Sequence, residues 1–217
     1  MRITGGLTIT GGLNLSIPII YAGSGGTLTT YTSGGINYRV HTFTANGTFT
    51  VNFPTTFDYL IVGGGGGGGT GLHNPDKRGY PGNAGEVLSG TTIFSADSYE
   101  VIVGGAGYGG INNPNYPQNN RFYGLNGDAS SFAHLTAGGG NGGIQTNTNN
   151  PPAPPDFSVF SDITGTNVHY GIPGAVTTPS QIGDSGTLPG QGGDGGGLGN
   201  FSGGSGYRGV VIIRYAY

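Results

Sequence analysis

The stretch Phe57-Asp58-Tyr59-Leu60-Ile61-Val62-Gly63-Gly64-Gly65-Gly66-Gly67-Gly68-Gly69-Thr70 decides the fold. Five of its first six residues, all but Asp58, are β-branched, aromatic or aliphatic, and the six read as a strand; the next seven have no side chain at all. A lone glycine run in polyproline-II geometry has three residues per turn and no internal hydrogen bonds, and it would simply be solvated. Packed beside similar runs, it can do more. With no Cβ in the way, neighbouring backbones come close enough for each N–H to meet a carbonyl on another run, which satisfies buried peptide groups without a side-chain core. At a rise of about 3.1 Å per residue, seven glycines make a rod of about 22 Å, the size of a small domain.

The rest of the chain repeats this arrangement. Glycine tracts occupy 63–69, 104–110, 138–143 and, with interruptions, 190–206, and the first two directly follow strand signals. Strands are expected at 36–43, 48–53, 57–62, 86–94, 98–103 and 209–215. Within 48–53, Phe49, Val51 and Phe53 alternate with Thr48, Thr50 and Asn52. Asn46-Gly47 carries a hairpin signal between the first two strands, and Ala96-Asp97 is expected to turn the fourth into the fifth. No window combines helical apolar spacing with good helix formers. The fold class predicted is all-β: a small antiparallel strand scaffold with packed polyglycine-II helices and long loops, and almost no α-helix.

Composition bounds the function. The 217 residues include 50 glycines and 13 prolines, a level at which aperiodic chains are usually disordered, yet Leu, Ile, Val and Phe together reach about 22%. Charged residues are only 8% and the formal net charge is −3, which lacks the footprint of a nucleic-acid or membrane-surface binder. There is no cysteine, so neither a disulfide framework nor a thiolate metal site is available. The start carries no apolar core of signal-peptide length, and no apolar run is long enough to span a bilayer, so export by that route and membrane insertion are not expected.

Two domains are expected. Residues 1–35 contain one hexapeptide written twice, Ile3-Thr4-Gly5-Gly6-Leu7-Thr8 and Ile9-Thr10-Gly11-Gly12-Leu13-Asn14. Short β-prone pieces broken by Gly-Gly cannot bury a face alone, so Ile3, Leu7, Ile9 and Leu13 mark an attachment arm that docks on a partner or on its own oligomer. An edge strand of the main domain is the other reading of this region. Residues 36–217 form the second domain.

Several motifs bear on chemistry. Gly105-Ala106-Gly107-Tyr108-Gly109-Gly110 matches the dinucleotide fingerprint in letters only, because Ile111-Asn112-Asn113-Pro114 cannot start the helix that binds pyrophosphate. Gly190, Gly193, Gly196 and Gly199 fall at every third position as in collagen, but the register ends at Ser202. Asp156 and Asp162 are the one pair of loop acids close enough in sequence to cleave a glycosidic bond, and solvated acids are the plainer account. His41, His73, His134 and His169 show no ligand spacing, so no metal, cofactor or catalytic residue is expected. The long polar segments 70–84, 111–128 and 144–188 carry the recognition chemistry. His73, Lys77, Arg78 and Tyr80 lie in the first, Tyr116, Arg121, Phe122 and Tyr123 in the second, and Phe157, Phe160, His169 and Tyr170 in the third. Aromatics and Arg on a rigid scaffold give large contact area at low ordering cost, although some of these rings can equally lid a small core.

One family shares the order of these pieces. Val40-His41-Thr42-Phe43, Gly47-Thr48-Phe49-Thr50-Val51 and Asp58-Tyr59-Leu60-Ile61-Val62 run into the first glycine tract. Ala84-Gly85-Glu86-Val87, Tyr99-Glu100-Val101-Ile102-Val103-Gly104 and Ala129-Ser130-Ser131-Phe132 follow, and Gly209-Val210-Val211-Ile212-Ile213-Arg214-Tyr215 closes the set. As a set, over 36–217, this resembles the glycine-rich domain of bacteriophage tail-fibre and adhesin proteins. The resemblance implies a stack of polyglycine-II helices flanked by strands, with variable loops at one end touching the host receptor. Similar packing occurs in the extracellular region of anaplastic lymphoma kinase-type receptors, from which this chain departs by lacking cysteine. The expectation is a non-enzymatic virion-surface protein, located on the particle exterior, with other virion proteins and a host-surface glycan or outer-membrane protein as partners. A capsid decoration or head fibre with a mainly structural role is the alternative, and homo-oligomerisation is compatible with both.

Overall fold

A computed structural model describes residues 20–72, 77–111, 122–145, 150–178 and 180–217. The described residues form twelve strands: β1 (Gly23–Ser24), β2 (Thr27–Ser33), β3 (Ile36–Phe43), β4 (Gly47–Val51), β5 (Thr55–Val62), β6 (Val87–Phe94), β7 (Asp97–Ile102), β8 (Ser130–Phe132), β9 (Leu135–Ala137), β10 (Val159–Ser161), β11 (Val168–Tyr170) and β12 (Val210–Ala216). The described residues contain no helix, so the all-β expectation holds.

All strand pairs are antiparallel. One sheet has the order β2-β3-β12-β5-β6 and a second the order β1-β4-β7-β8-β9, while β10 and β11 form a separate hairpin. The two sheets pack face to face over Phe43, Phe49, Phe57, Phe94, Phe132 and Tyr215. Phe49 meets Phe57 and Phe132 edge-on at ring separations of 5.7 and 5.8 Å, the geometry that ring quadrupoles favour. β12 is the central strand of its sheet and is buried on both faces. Val211, Ile213 and Tyr215 enter the sandwich core, whereas Val210 and Ile212 join Val40, Leu60 and Val62 under the β10–β11 hairpin. That accounts for its unbroken apolar run, where the half-exposed β4 alternates.

Both hairpin expectations need correcting. β3 pairs with β2 and β12, and β4 with β1 and β7, so 44–46 carries the chain from one sheet to the other. Gly47 has no positive φ, which the expected turn would demand. Phe43 and Phe49 sit on the two sides of one core, and crossing between sheets is what buries both. Likewise β6 pairs with β5 and β7 with β4 and β8, so Ala96-Asp97 joins sheets rather than paired strands. A tight hairpin lies instead at Ser33-Gly34-Gly35-Ile36, where both glycines have positive φ, 57° and 79°. It falls inside the region assigned to the arm. Residues 23–33 of that region are β1 and β2, edge strands of the two sheets, so the domain begins before 36. Ile3, Leu7, Ile9 and Leu13 lie outside the described residues.

Beyond the sandwich the glycine tracts form a bundle. The N–H groups of Gly63, Gly66 and Gly69 donate to carbonyls of Glu86, Asn83 and Tyr80. Those of Gly64, Gly67 and Thr70 go to Asp128, Leu125 and Phe122, and those of Gly65, Gly68 and Gly71 to Tyr207, Gly204 and Phe201, all at 2.8–3.0 Å. Partners therefore rotate with a period of three, the period of polyproline-II geometry. Carbonyls of the same tract accept from three others: Gly64 and Gly67 from Gly140 and Gly143, Gly65 and Gly68 from Gly107 and Gly110, and Gly66 and Gly69 from Gly193 and Gly196. Six neighbours thus enclose 63–71. They also bond to one another around the ring, for example Gly82 to Gly193, Asn83 to Asn141, Gly127 to Gly140, Asp128 to Gly105, Gly206 to Gly107 and Gly204 to Asp194.

Two outcomes follow for the sequence pattern. Much of 70–84 and 111–128, expected as loop, belongs to tracts of this bundle, signalled by Gly79, Gly82, Gly85 and by Gly124, Gly127 at spacings of three. The collagen-like spacing in 190–199 serves the same bundle: Gly193 and Gly196 face the central tract. A Cβ on Gly65, Gly67 or Gly68 would overlap the carbonyl oxygen of Gln191, Tyr108 or Asp194.

Gly67→Ala is therefore expected to destabilise by more than about 3 kcal/mol or to abolish folding, since backbone cannot give way as a rotamer can. Gly138→Ala, whose Cβ would meet only a Glu86 carboxylate oxygen at 3.3 Å, serves as the tolerant control, and urea denaturation of both variants compares them. A second expectation concerns acid. His41 is buried in the sandwich, its Nδ1 2.7 Å from the Gly25 carbonyl and its ring stacked on Tyr215. Burial, helped by Arg39, holds its pKa below the ordinary 6.5. The unfolded chain binds this proton more readily, so stability is full above about pH 6.5 and falls as the pH drops towards the folded value. His41→Leu should flatten that decline in urea titrations from about pH 7 to 5; equal slopes would assign the acid sensitivity elsewhere.

Candidate functional site

The bundle gives the molecule two ends. The tracts 63–71, 104–110 and 138–144 leave β5, β7 and β9, and the tracts 79–86, 122–128 and 201–209 return to β6, β8 and β12. The first two connections between an outgoing and a returning tract therefore open at the end away from the sandwich, and the third starts there before the chain comes back to the sandwich at β10 and β11. The described residues of these connections are tied together there. Leu72 donates to the Lys77 carbonyl at 3.1 Å and accepts from Gly199 at 3.0 Å, and Gly79 bridges to Gln145.

Thr70 organises this tip. It ends the glycine run, it is fully buried, and its N–H and hydroxyl both reach the Phe122 carbonyl at 3.0 and 3.2 Å, while its hydroxyl accepts from the Gln145 amide at 3.4 Å. Three connections thus meet on one side chain. Sequence reasoning passed over Thr70 because a threonine after seven glycines reads as the start of a loop; its hydroxyl is the first side-chain donor the chain supplies at that height.

The residues singled out for recognition divide between two places. Lys77, Arg78, Phe122 and Tyr123 converge on the tip, with Tyr123 56% exposed beside the exposed Ile111 and Ile144. Arg78 is half-buried, and its Nε has no partner among the described residues. Tyr80 belongs to a tract: its carbonyl accepts from Gly69 and its N–H donates to Ile144. His73, Tyr116 and Arg121 lie outside the described residues. The third-segment residues sit at the sandwich instead. Phe160 stacks on His169 across the β10–β11 hairpin at 4.0 Å, and Phe157 is the most exposed aromatic of the set at 77%. Tyr170 corrects the expectation for it. It is buried against the outer face of the first sheet with Val40, Leu60 and Ile212, so it lids a core and presents no surface.

Known proteins bear on this architecture at one point. The family described as a glycine-rich domain matches residues 43–156, just over half of the chain. The chain belongs to that glycine-rich domain family. The matched span runs from the last residue of β3 through β9 and takes in the central tract with four of its six neighbours. The remaining two neighbours, 190–197 and 201–209, close the ring of this glycine-rich domain from outside the matched span. None of the curated proteins compared matches the chain.

Among the described residues no group of three or more His, Cys, Asp or Glu side chains could hold a metal ion, and no helix is long and apolar enough to cross a membrane. The two loop acids have separate employment. Asp156 accepts from the Ser158 N–H at 2.9 Å, and hydrogen bonding to Ser158, through its hydroxyl first and its N–H second, holds the carboxyl below the usual carboxylate range, the wrong direction for a general acid. Asp162 lies 3.8 Å from Arg214.

Tyr123→Ala and Phe160→Ala should each change stability by no more than about 0.5 kcal/mol, whereas Tyr170→Ala should cost about 3 kcal/mol, as truncation of buried aromatics does. Denaturant titrations of the three variants test this division.

Proposed function

We propose that this chain is a non-enzymatic recognition protein on a bacteriophage particle, a tail or fibre adhesin that uses the distal tip of its bundle to contact a host-surface glycan or outer-membrane protein. The N-terminal residues attach it to other virion proteins. The single observation that carries this reading is the gathering of Lys77, Phe122, Tyr123, Ile111 and Ile144 at one end of a rod whose other end is the sandwich. A bundle held together by backbone bonds fixes such residues before contact, which lowers the ordering cost of binding. The side-chain chemistry supports it as well: aromatic and aliphatic surface with a few cationic groups, on connections that need not pack a core. The resemblance of the motif order to phage adhesins adds the particle as the setting.

Immunogold labelling of intact phage particles with an antibody against this chain tests the placement. Label at tail or fibre tips is the expected result; dense label over the head would replace the adhesin with a decoration protein, and unlabelled particles would remove the virion reading. Binding of the fluorescently labelled protein to host cells should fall by roughly tenfold on Tyr123→Ala, an exposed aromatic of the kind that dominates interface energetics.

A further inference from the structure

Away from the tip, the junction of sandwich and bundle holds a cleft of about 570 Å³. Its floor is bare backbone, Gly104-Gly105-Ala106. Its walls carry Tyr108, Asp128, Arg208, Ser205 and, from the segment that crosses from β3 to β4, Asn46. A second hollow of about 420 Å³ lies beside it, sharing Thr44 and Arg208 and adding Tyr207, so this groove region has a tyrosine on each side of an arginine.

We infer that this groove is a binding site for a neutral oligosaccharide, separate from the tip. Three features point to that ligand. Tyr108 is 66% exposed, although nothing in the fold requires an aromatic there: its backbone carbonyl serves the bundle by accepting from Leu125, and its ring is left for the flat C–H face of a pyranose. Asp128 and Arg208 line the same cleft without forming an ion pair. A carboxylate that only accepts and a guanidinium that only donates together match hydroxyl groups, which do both. Their charges cancel, so the lining selects no strongly charged glycan. The remaining donors are placed in advance. Asn46 Oδ1 accepts from the Val103 N–H at 2.9 Å, its amide nitrogen has no partner among the described residues, and Arg208 is anchored by one bond of 3.2 Å to the Thr44 carbonyl, with its other N–H groups left over. The N–H groups of Gly105 and Ala106 have no partner among the described residues. Volume, a few convergent polar groups and an aromatic face are the ordinary makings of a small-ligand site.

The test titrates the isotopically labelled full chain with maltohexaose, cellohexaose and mannohexaose and follows amide shifts. Movement of Asn46, Ala106, Tyr108 and Arg208 with at least one of these sugars is expected. Binding should weaken by roughly tenfold or more in Tyr108→Ala and in Asp128→Asn, the scale at which a principal contact counts. Melting temperatures should stay unchanged, because both side chains project from exposed positions. Tyr123→Ala at the tip should leave the affinity as it was, which separates this site from receptor contact. Shifts with none of the sugars, shifts elsewhere on the surface, or shifts given only by a zwitterionic dipeptide such as glycylglycine would overturn the assignment.

Discussion

Everything in this molecule hangs on nine consecutive N–H groups, from Gly63 to Gly71, each finding a carbonyl on another part of the chain. An individual bond of this kind contributes only about 0.5–1.5 kcal/mol net, but leaving its buried partners unmade costs about 1–3 kcal/mol each. The tract is therefore held less by the strength of any bond than by the lack of an alternative for it. Side chains are excluded from its surroundings because the space they would need is filled by carbonyl oxygen.

The domain thus joins two cores built on opposite principles. In the sandwich, Phe49, Phe57 and Phe132 fill space with rings and the backbone pairs in sheets. In the bundle the backbone itself fills space, and side chains such as Tyr108, Asp128 and Tyr123 are confined to the outside. The change takes place within one peptide link, at Val62-Gly63, and is reinforced by Ser130, whose buried hydroxyl donates to the Val62 carbonyl and accepts from the Gly104 N–H. Strands aim the tracts, and the tracts carry the connecting segments to a common height.

The parts of this plan legible in the sequence are those where a residue type has a single use. Alternation in 48–53 and the apolar run at 57–62 placed strands β4 and β5, and the seven glycines announced backbone packing. What misled was pairing. Asn46-Gly47 resembles a two-residue turn, but the choice between turning and crossing is made by Phe43 and Phe49 meeting across a core, which local sequence does not encode. The short strands β8 to β11 escaped because three residues give no period to count. Tyr170 was assigned to the surface beside Phe160 and His169 although strand alternation puts it on the opposite face. Glycines at every third position inside 79–86 and 122–128 were visible, yet they looked like loop glycines until their partners were known.

The order in which the ring closes bears on how the protein comes into being. The central tract ends at residue 71, yet a third of its donors wait for carbonyls at 201–207, and the middle strand of the first sheet, β12, is later still. Contacts between residues so far apart in sequence are slow to form, since loop closure must precede any reward. On the ribosome the first two hundred residues can form strands in passing but cannot complete either core. Both cores therefore wait on the same stretch, 201–216, which couples completion of the bundle to completion of the sandwich.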